Sequence, residues 1–348
     1  MKMDAFIHGI PKAELHIHVE GSLEPELMLE LADKNGIRLP FESVTDIRRA
    51  YDFTDLKSFL DIYYHGAKVL LTEDDFYQMT RAYLHKASRQ NVRHTEIFFD
   101  PQTHTARGIQ FETVVQGIRR ALSDAGRQLG MSSKLIMCFL RDMSAAEALI
   151  TLEQALPFKD FISGVGLDSA EMGHPPEKFK DVFNMARQNG FRTVAHAGEE
   201  GPPEYIWQAL NLLKAERIDH GVRCIEDAGL VEYLVKEKVP LTVCPLSNIK
   251  LRIFDDMRQH NFKQLLDLGL CVTVNSDDPA YFGGYIEDNI RVLQAAHKLT
   301  FQDIYKISRN AFEAAFLTSA EKQKYLNELD EFVSEFSRRH LQTVDFSV

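Results

Sequence analysis

A chain of 348 residues with 45% hydrophobic and 26% charged side chains can bury a large core, and its length suits either two ordinary domains or one α/β barrel with insertions. The net charge of −11 works against a phosphate-backbone partner, which needs clustered Lys and Arg, and favours a small, uncharged or weakly charged ligand. Cys138, Cys224, Cys244 and Cys271 stand apart without a C-x-x-C pair, which argues against a disulfide framework or thiolate zinc cluster; with no signal-peptide-like start and no long apolar run, the expected location is cytoplasmic.

The first strand candidate is "AELHIHVE", an apolar alternation that carries His16 and His18. Residues 24 to about 90 read as several helices, with "LKSFLDIYYHGAKVLL" and "EDDFYQMTRAYLHKASRQ" strongly periodic, and such an insertion would sit over the mouth of a barrel. Then come "VRHTEIFFD", "KLIMCFLRD", "ISGVGLDSAE", "RTVAHAGE", "RIDHGV", "PLTVCPLSN" and "CVTVNSDDP", each short and rich in β-branched residues. Between most of them lie amphipathic stretches such as "FETVVQGIRRALSDAGRQLG", often ending at Gly. Eight strand-helix repeats predict a parallel sheet closed into a (β/α)8 TIM barrel. A doubly wound open sheet is the alternative, but no G-x-G-x-x-G follows the first strand. After the last strand, "TFQDIYKISRNAFEAAFL" and the residues beyond it read as helices packed on the outside; no linker is visible, so residues 1–348 are expected to form a single domain.

Side chains at i and i+2 of a strand share a face, so His16 and His18 both project into the barrel if either does. H-x-H alone is a weak signal, since two satisfied core histidines look the same. The other strand ends strengthen it: His196 closes the fifth candidate in "AHAGEE", His220 the sixth in "DHG", and Asp277 the eighth in "NSDDP". In such barrels the carboxyl ends of the strands carry the active site. Three imidazoles and a carboxylate suit a zinc ion with one position left open.

"PKAELHIHVEGS", "HAGE", "DHG" and "NSDDP" resemble the adenosine/adenine deaminase branch of the amidohydrolase superfamily, in order from residue 11 through "SRNAFEAAFL". The resemblance implies one zinc ion on His16, His18, His196 and Asp277, with Glu199 as proton donor and His220 beside the metal water. It also implies that Asp278 hydrogen-bonds the imidazole half of a purine and that the region of Phe59, Leu60 and Tyr63 covers the ring. Zinc lowers the pKa of bound water towards about 7, and a protonated Glu199 would make the amino-bearing ring carbon electrophilic.

Departures from the nucleoside branch share a direction. Glu20 stands where that branch has a shorter Asp, and Glu171 where it has Gly, so both are expected to crowd the space of a ribose. "SAEMGHPP", "GEEGPPEYIWQAL" and "SDDPAYFGGY" resemble the adenine deaminase subgroup. The expected reaction is adenine to hypoxanthine and ammonia in purine salvage, with adenosine as the alternative substrate and another amidohydrolase or an inactive purine-binding protein more remote. The expected partner is a purine base, with no nucleic acid and no membrane, and a homo-oligomer is left open. His65, His85, His94, His104, His174, His260, His297 and His340 have no such context and are expected at the surface. Glu200 and Asp219 are expected to be solvated or behind the ligands, turned from the pocket by strand alternation. Glu96, a carboxylate inside a strand, has no evident role.

Overall fold

The computed structural model describes residues 2–340. Eight parallel strands run β1 (Lys12–His18), β2 (Val92–Phe99), β3 (Ser132–Leu140), β4 (Ile162–Asp168), β5 (Arg192–Ala197), β6 (Arg217–His220), β7 (Pro240–Val243) and β8 (Cys271–Val274). Each pairs with the next in chain order. Every residue of β1 is buried, as expected for a strand with the barrel interior on one face and helices on the other. The expected (β/α)8 barrel is the observed fold.

Closure between the last strand and the first depends partly on side chains. Just beyond β8, the N–H of Asp277 donates to the carbonyl of His16 at 3.1 Å and the N–H of His18 to the carbonyl of Asp277 at 3.0 Å. Deeper in the seam, Leu15 N–H donates to Asn275 Oδ1 at 2.8 Å and Ser276 N–H to Glu14 Oε1 at 3.1 Å. Two polar side chains thus satisfy backbone donors that would otherwise be buried without partners.

Helix α1 (Lys2–Gly9) precedes β1, and α2 (Pro25–Asn35), α3 (Val44–Ala50), α4 (Leu56–Ala67) and α5 (Glu73–Arg89) lie between β1 and β2. Capping boxes start the last two, from Asp55 with Ser58 and from Thr72 with Asp75. α5 packs in the outer ring against the helix Phe111–Leu129, where a Cβ at Gly117 would lie 2.3 Å from the carbonyl of Glu73. It is α4 that reaches the barrel mouth, burying Leu56, Phe59 and Tyr63. The helices Phe301–Ala314 and Ser319–His340 complete the outer layer.

The surface expectation fails for three histidines. His94, His104 and His260 are buried because each has hydrogen-bond partners that offset the loss of water. His94 Nδ1 meets Ser132 Oγ at 2.7 Å, His104 Nε2 donates to Glu20 at 2.9 Å, and His260 Nε2 donates to Asn248 Oδ1 at 3.2 Å. Glu96 acquires a structural role. Arg217 Nη1 donates to its Oε2 at 2.7 Å, His94 Nε2 and the N–H of Phe316 to its Oε1, and both partners of the ion pair are fully buried. Burial opposes its charge, yet the Arg217 guanidinium and the His94 hydrogen bond bring its pKa down to about 2.

Candidate metal centre and catalytic rim

His16 and His18 leave β1 on one face. The candidate ligand atoms of His16, His18, His196 and Asp277 all lie within 4.8 Å of one another, and all four residues are buried. His18 Nε2 stands 3.2 Å from His196 Nε2, and His16 Nε2 stands 3.1 Å from Asp277 Oδ1. These separations suit the donor set: a tetrahedron with zinc–nitrogen bonds of ~2.1 Å has edges of about 3.4 Å. Burial holds the His196 imidazole pKa well below its ordinary value, with the neighbouring His16, His220 and His18 adding to the effect, so the ring is neutral and its nitrogen free to coordinate.

The far nitrogen of each imidazole faces an oxygen. His16 Nδ1 meets Thr242 Oγ1 at 2.9 Å, His18 Nδ1 lies 3.5 Å from Asp168, and His196 Nδ1 lies 3.5 Å from Asp219 Oδ2. The hydrogen bond to Thr242 orients the His16 ring, and the carboxylates beside His18 and His196 lie on the side away from the cluster. Asp219 itself accepts from Thr242 Oγ1 at 2.8 Å. It is completely buried behind the candidate ligands and does not line the pocket, one of the two places expected for it. His220, next along, has φ +61°. Ser169 and Asp277, also at strand ends on this rim, have φ values of +71° and +64°. Non-glycine residues held there cost of order 1–3 kcal/mol each and gather at functional sites. Glu200, by contrast, is half-exposed.

A pocket opens above the cluster. His18, His196, Glu199, His220, Asp277 and Asp278 line its floor. From α4, Leu56, Phe59, Leu60, Tyr63 and Tyr64 form its roof, with Phe282 beside them. Tyr63 OH donates to Asp100 Oδ2 at 3.1 Å, and Tyr64 OH lies 3.3 Å from Ser169 Oγ, so the roof is pinned to the rim at two points.

Two groups have the protonation states that acid-base chemistry needs. Burial raises the Glu199 carboxyl pKa well above the usual range, and the negative charges of Asp277, Glu171 and Glu200 raise it further. Burial lowers His220 to about 3, leaving a neutral imidazole. Asn248 Nδ2 donates to Glu199 Oε1 at 3.2 Å and lies 3.5 Å from His220 Nδ1, bridging the pair. Asp278 is also pushed well up, by burial and then by Asp277. A Cβ at Gly21 would fall 1.8 Å from Asp278 Oδ1, so the glycine of "HVEGS" leaves room for that carboxyl.

The structure directs Glu20 and Glu171 elsewhere. Glu20 Oε1 accepts from His104 and from the N–H of Asp100 at 3.2 Å, behind the cavity wall, and burial raises its pKa to about 7. Glu171 accepts from backbone amides of the loop after β5. Neither is among the residues lining the cavity. Sequence reasoning missed Asp100, Asp168 and Asn248. Asp100 closes its strand candidate in "FFD", Asn248 closes its own in "PLTVCPLSN" and Asp168 ends β4 in "GLD", so a signal was there for all three, although Asn248 lies five residues beyond the observed β7.

Comparison with known proteins gives one consistent picture. A family model described as adenosine deaminase matches residues 11–332. The chain is 60% identical over 331 residues to an adenine deaminase from Hahella chejuensis, covering 95% of this chain and 99% of that one. Its structure superposes on the crystal structure of an adenine deaminase from Arthrobacter aurescens with a TM-score of 0.92 at 50% identity, covering 94% and 100% of the two chains. An amidohydrolase from Burkholderia ambifaria, solved with bound Zn, gives a TM-score of 0.88 at 26% identity over 97% and 95%.

Proposed function

The chain belongs to the adenosine deaminase family, and on that premise we propose that it is a zinc-dependent hydrolase converting adenine and water to hypoxanthine and ammonia. The observation that carries the metal assignment is the convergence of four buried donor atoms from β1, β5 and the end of β8 beneath a small cavity. Zinc held by His16, His18, His196 and Asp277 would supply Lewis acidity of the kind that brings the pKa of water down towards about 7.

The chain's own residues provide the remainder. Glu199, kept neutral by burial, donates its proton to the ring nitrogen beside the amino-bearing carbon, which relieves the negative charge that addition of water places on the ring. His220, kept neutral, accepts one proton from the attacking water and passes it to the departing amino group as ammonia, while the proton left on the added hydroxyl returns to Glu199 as the carbonyl forms. Asp278 holds the imidazole half of the purine, and the α4 roof excludes bulk water. Purine salvage in the cytoplasm is the role proposed, and the four free thiols suit a reducing compartment. No helix among the described residues is long and apolar enough to cross a membrane.

Metal content measured together with ammonia release from a panel of purines and nucleosides tests the reading. The expected result is one zinc per chain and a kcat/KM for adenine exceeding that for adenosine by at least ~10²-fold, or ~3 kcal/mol of differential transition-state binding. An enzyme that preferred adenosine would overturn the substrate assignment, and full activity without metal would overturn the zinc.

A further inference from the structure

We propose that Glu171 is a positioning residue for the proton donor: its carboxylate is a built-in anion that holds the loop carrying Glu199. This rests on the reading of Glu199 as the proton donor. Four successive backbone amides converge on this one side chain. Gly198 N–H donates to Oε1 at 2.7 Å, and Glu199, Glu200 and Gly201 N–H donate to Oε2 at 3.1, 2.8 and 2.8 Å. Consecutive amides that point into one concavity form an anion-binding nest, and bonds to a charged acceptor are roughly twice as strong as neutral ones. Here the anion comes from the chain itself, from the segment after β4.

The loop sequence is shaped to receive it. Gly198 has φ +71°, and a Cβ at Gly201 would lie 2.5 Å from Glu171 Oε1, so "HAGEEG" lets the backbone approach where other residues would hold it off. Arg141 braces the same region, donating to the carbonyl of His196 at 2.7 Å and that of His174 at 2.9 Å. Glu199 is thereby fixed at both ends, its amide by Glu171 and its carboxyl by Asn248. A proton donor must keep within a few tenths of an ångström of its acceptor, and a misplacement of ~1 Å can cost about 10²-fold in rate. The charge of Glu171 also helps to keep Glu199 protonated.

A loop staple with no bearing on catalysis would lower stability alone, and a ribose-excluding or substrate-binding residue would change KM or the substrate ratio. The test therefore measures kcat and KM separately for Glu171→Gly and Glu171→Gln, alongside metal content, circular dichroism and the response to formate. The substrate is whichever purine the wild type deaminates, so a wild type inactive on adenine overturns the substrate assignment above and leaves this inference standing. For Glu171→Gly, kcat is expected to fall by roughly 10²-fold, with KM within about threefold of wild type and metal retained. Formate, an anion small enough for the vacated nest, is expected to restore at least about tenfold of that loss while leaving the wild type unchanged. The adjoining Met172 is 59% exposed, which gives the anion a short path. Glu171→Gln, which keeps an acceptor oxygen but no charge, is expected to lie between and decides the matter should the glycine variant not fold. A rise in KM at constant kcat, or unaltered kinetics in a folded variant, overturns the proposal, as does a folded glycine variant that formate does not rescue.

Discussion

A carboxylic acid and a neutral imidazole 3.4 Å apart, Glu199 and His220, are the residue-scale feature on which the proposed chemistry turns. Glu199→Gln keeps size and polarity but has no proton to give, so turnover is expected to fall by at least ~10²-fold while zinc stays bound; loss of metal in that variant would make Glu199 a ligand. His18→Ala removes an imidazole whose two nitrogens face His196 and Asp168, and metal stoichiometry and turnover should both collapse in a chain that still folds. Asp219→Asn probes the support beneath. Its carboxyl stands 3.8 Å from His16 Nδ1 and 3.5 Å from His196 Nδ1, so a competition assay with a chelator should show affinity for zinc lowered about 10- to 100-fold with both ligands in place. His16, His18, His196 and Asp277 were legible because several strand ends supply a histidine or carboxylate to one rim, and because "HIHVEGS", "HAGE" and "NSDDP" carry the family resemblance. Asp219 was expected to be solvated or behind the ligands, and it lies behind them, beside His16 and His196 and off the cavity lining.

Among the elements, the strands were the most legible part, because short β-branched runs bounded by turn residues leave few alternatives. The helices between β1 and β2 were visible from their periodicity, but periodicity does not say which neighbour an apolar stripe meets. α5 and α4 read alike in sequence, yet one joins the outer ring and the other forms the cavity roof. Glu171 failed for a related reason: its position just after β4 was evident, but the convergence of amides from the loop after β5 is a tertiary fact. The roof offers a test at this scale. Phe59 packs edge-on to Phe53 at 5.4 Å and lies 4.7 Å from Phe282, which joins α4 to the segment that follows Asp278. Phe59→Ala should loosen that contact, raising KM for the purine more than it lowers kcat, and hydrogen exchange should quicken over 56–67 while the strands stay protected. Unchanged exchange and unchanged KM would remove α4 from substrate binding.

In the whole molecule, the demands of stability and chemistry fall on different parts of the barrel. The raised carboxyl of Glu199, the lowered imidazoles of His196 and His220 and the positive-φ residues Ser169, His220 and Asp277 lie at the carboxyl ends of the strands, whereas Glu96 and Arg217 form a buried ion pair lower in the barrel, joining β2 and β6 across its interior. Breaking a buried pair leaves an uncompensated charge, so Glu96→Gln should cost ~3–5 kcal/mol of unfolding free energy with metal content and KM unchanged. The pH dependence follows from the sign of the shift. Because the folded pKa of Glu96 is about 2 and its ordinary value 4.5, the folded state binds the proton less readily than the unfolded chain does. The stabilisation is therefore complete above the ordinary value and is lost as pH falls through this window towards 2. Urea unfolding of wild type and Glu96→Gln at successive pH values should give a stability gap that is constant near neutrality and narrows on acidification below about 5. A gap that stayed constant down to the acid limit would mean that the charge of Glu96 does not stabilise the barrel, and the ion pair would then be no more than a way of satisfying Arg217 in the core.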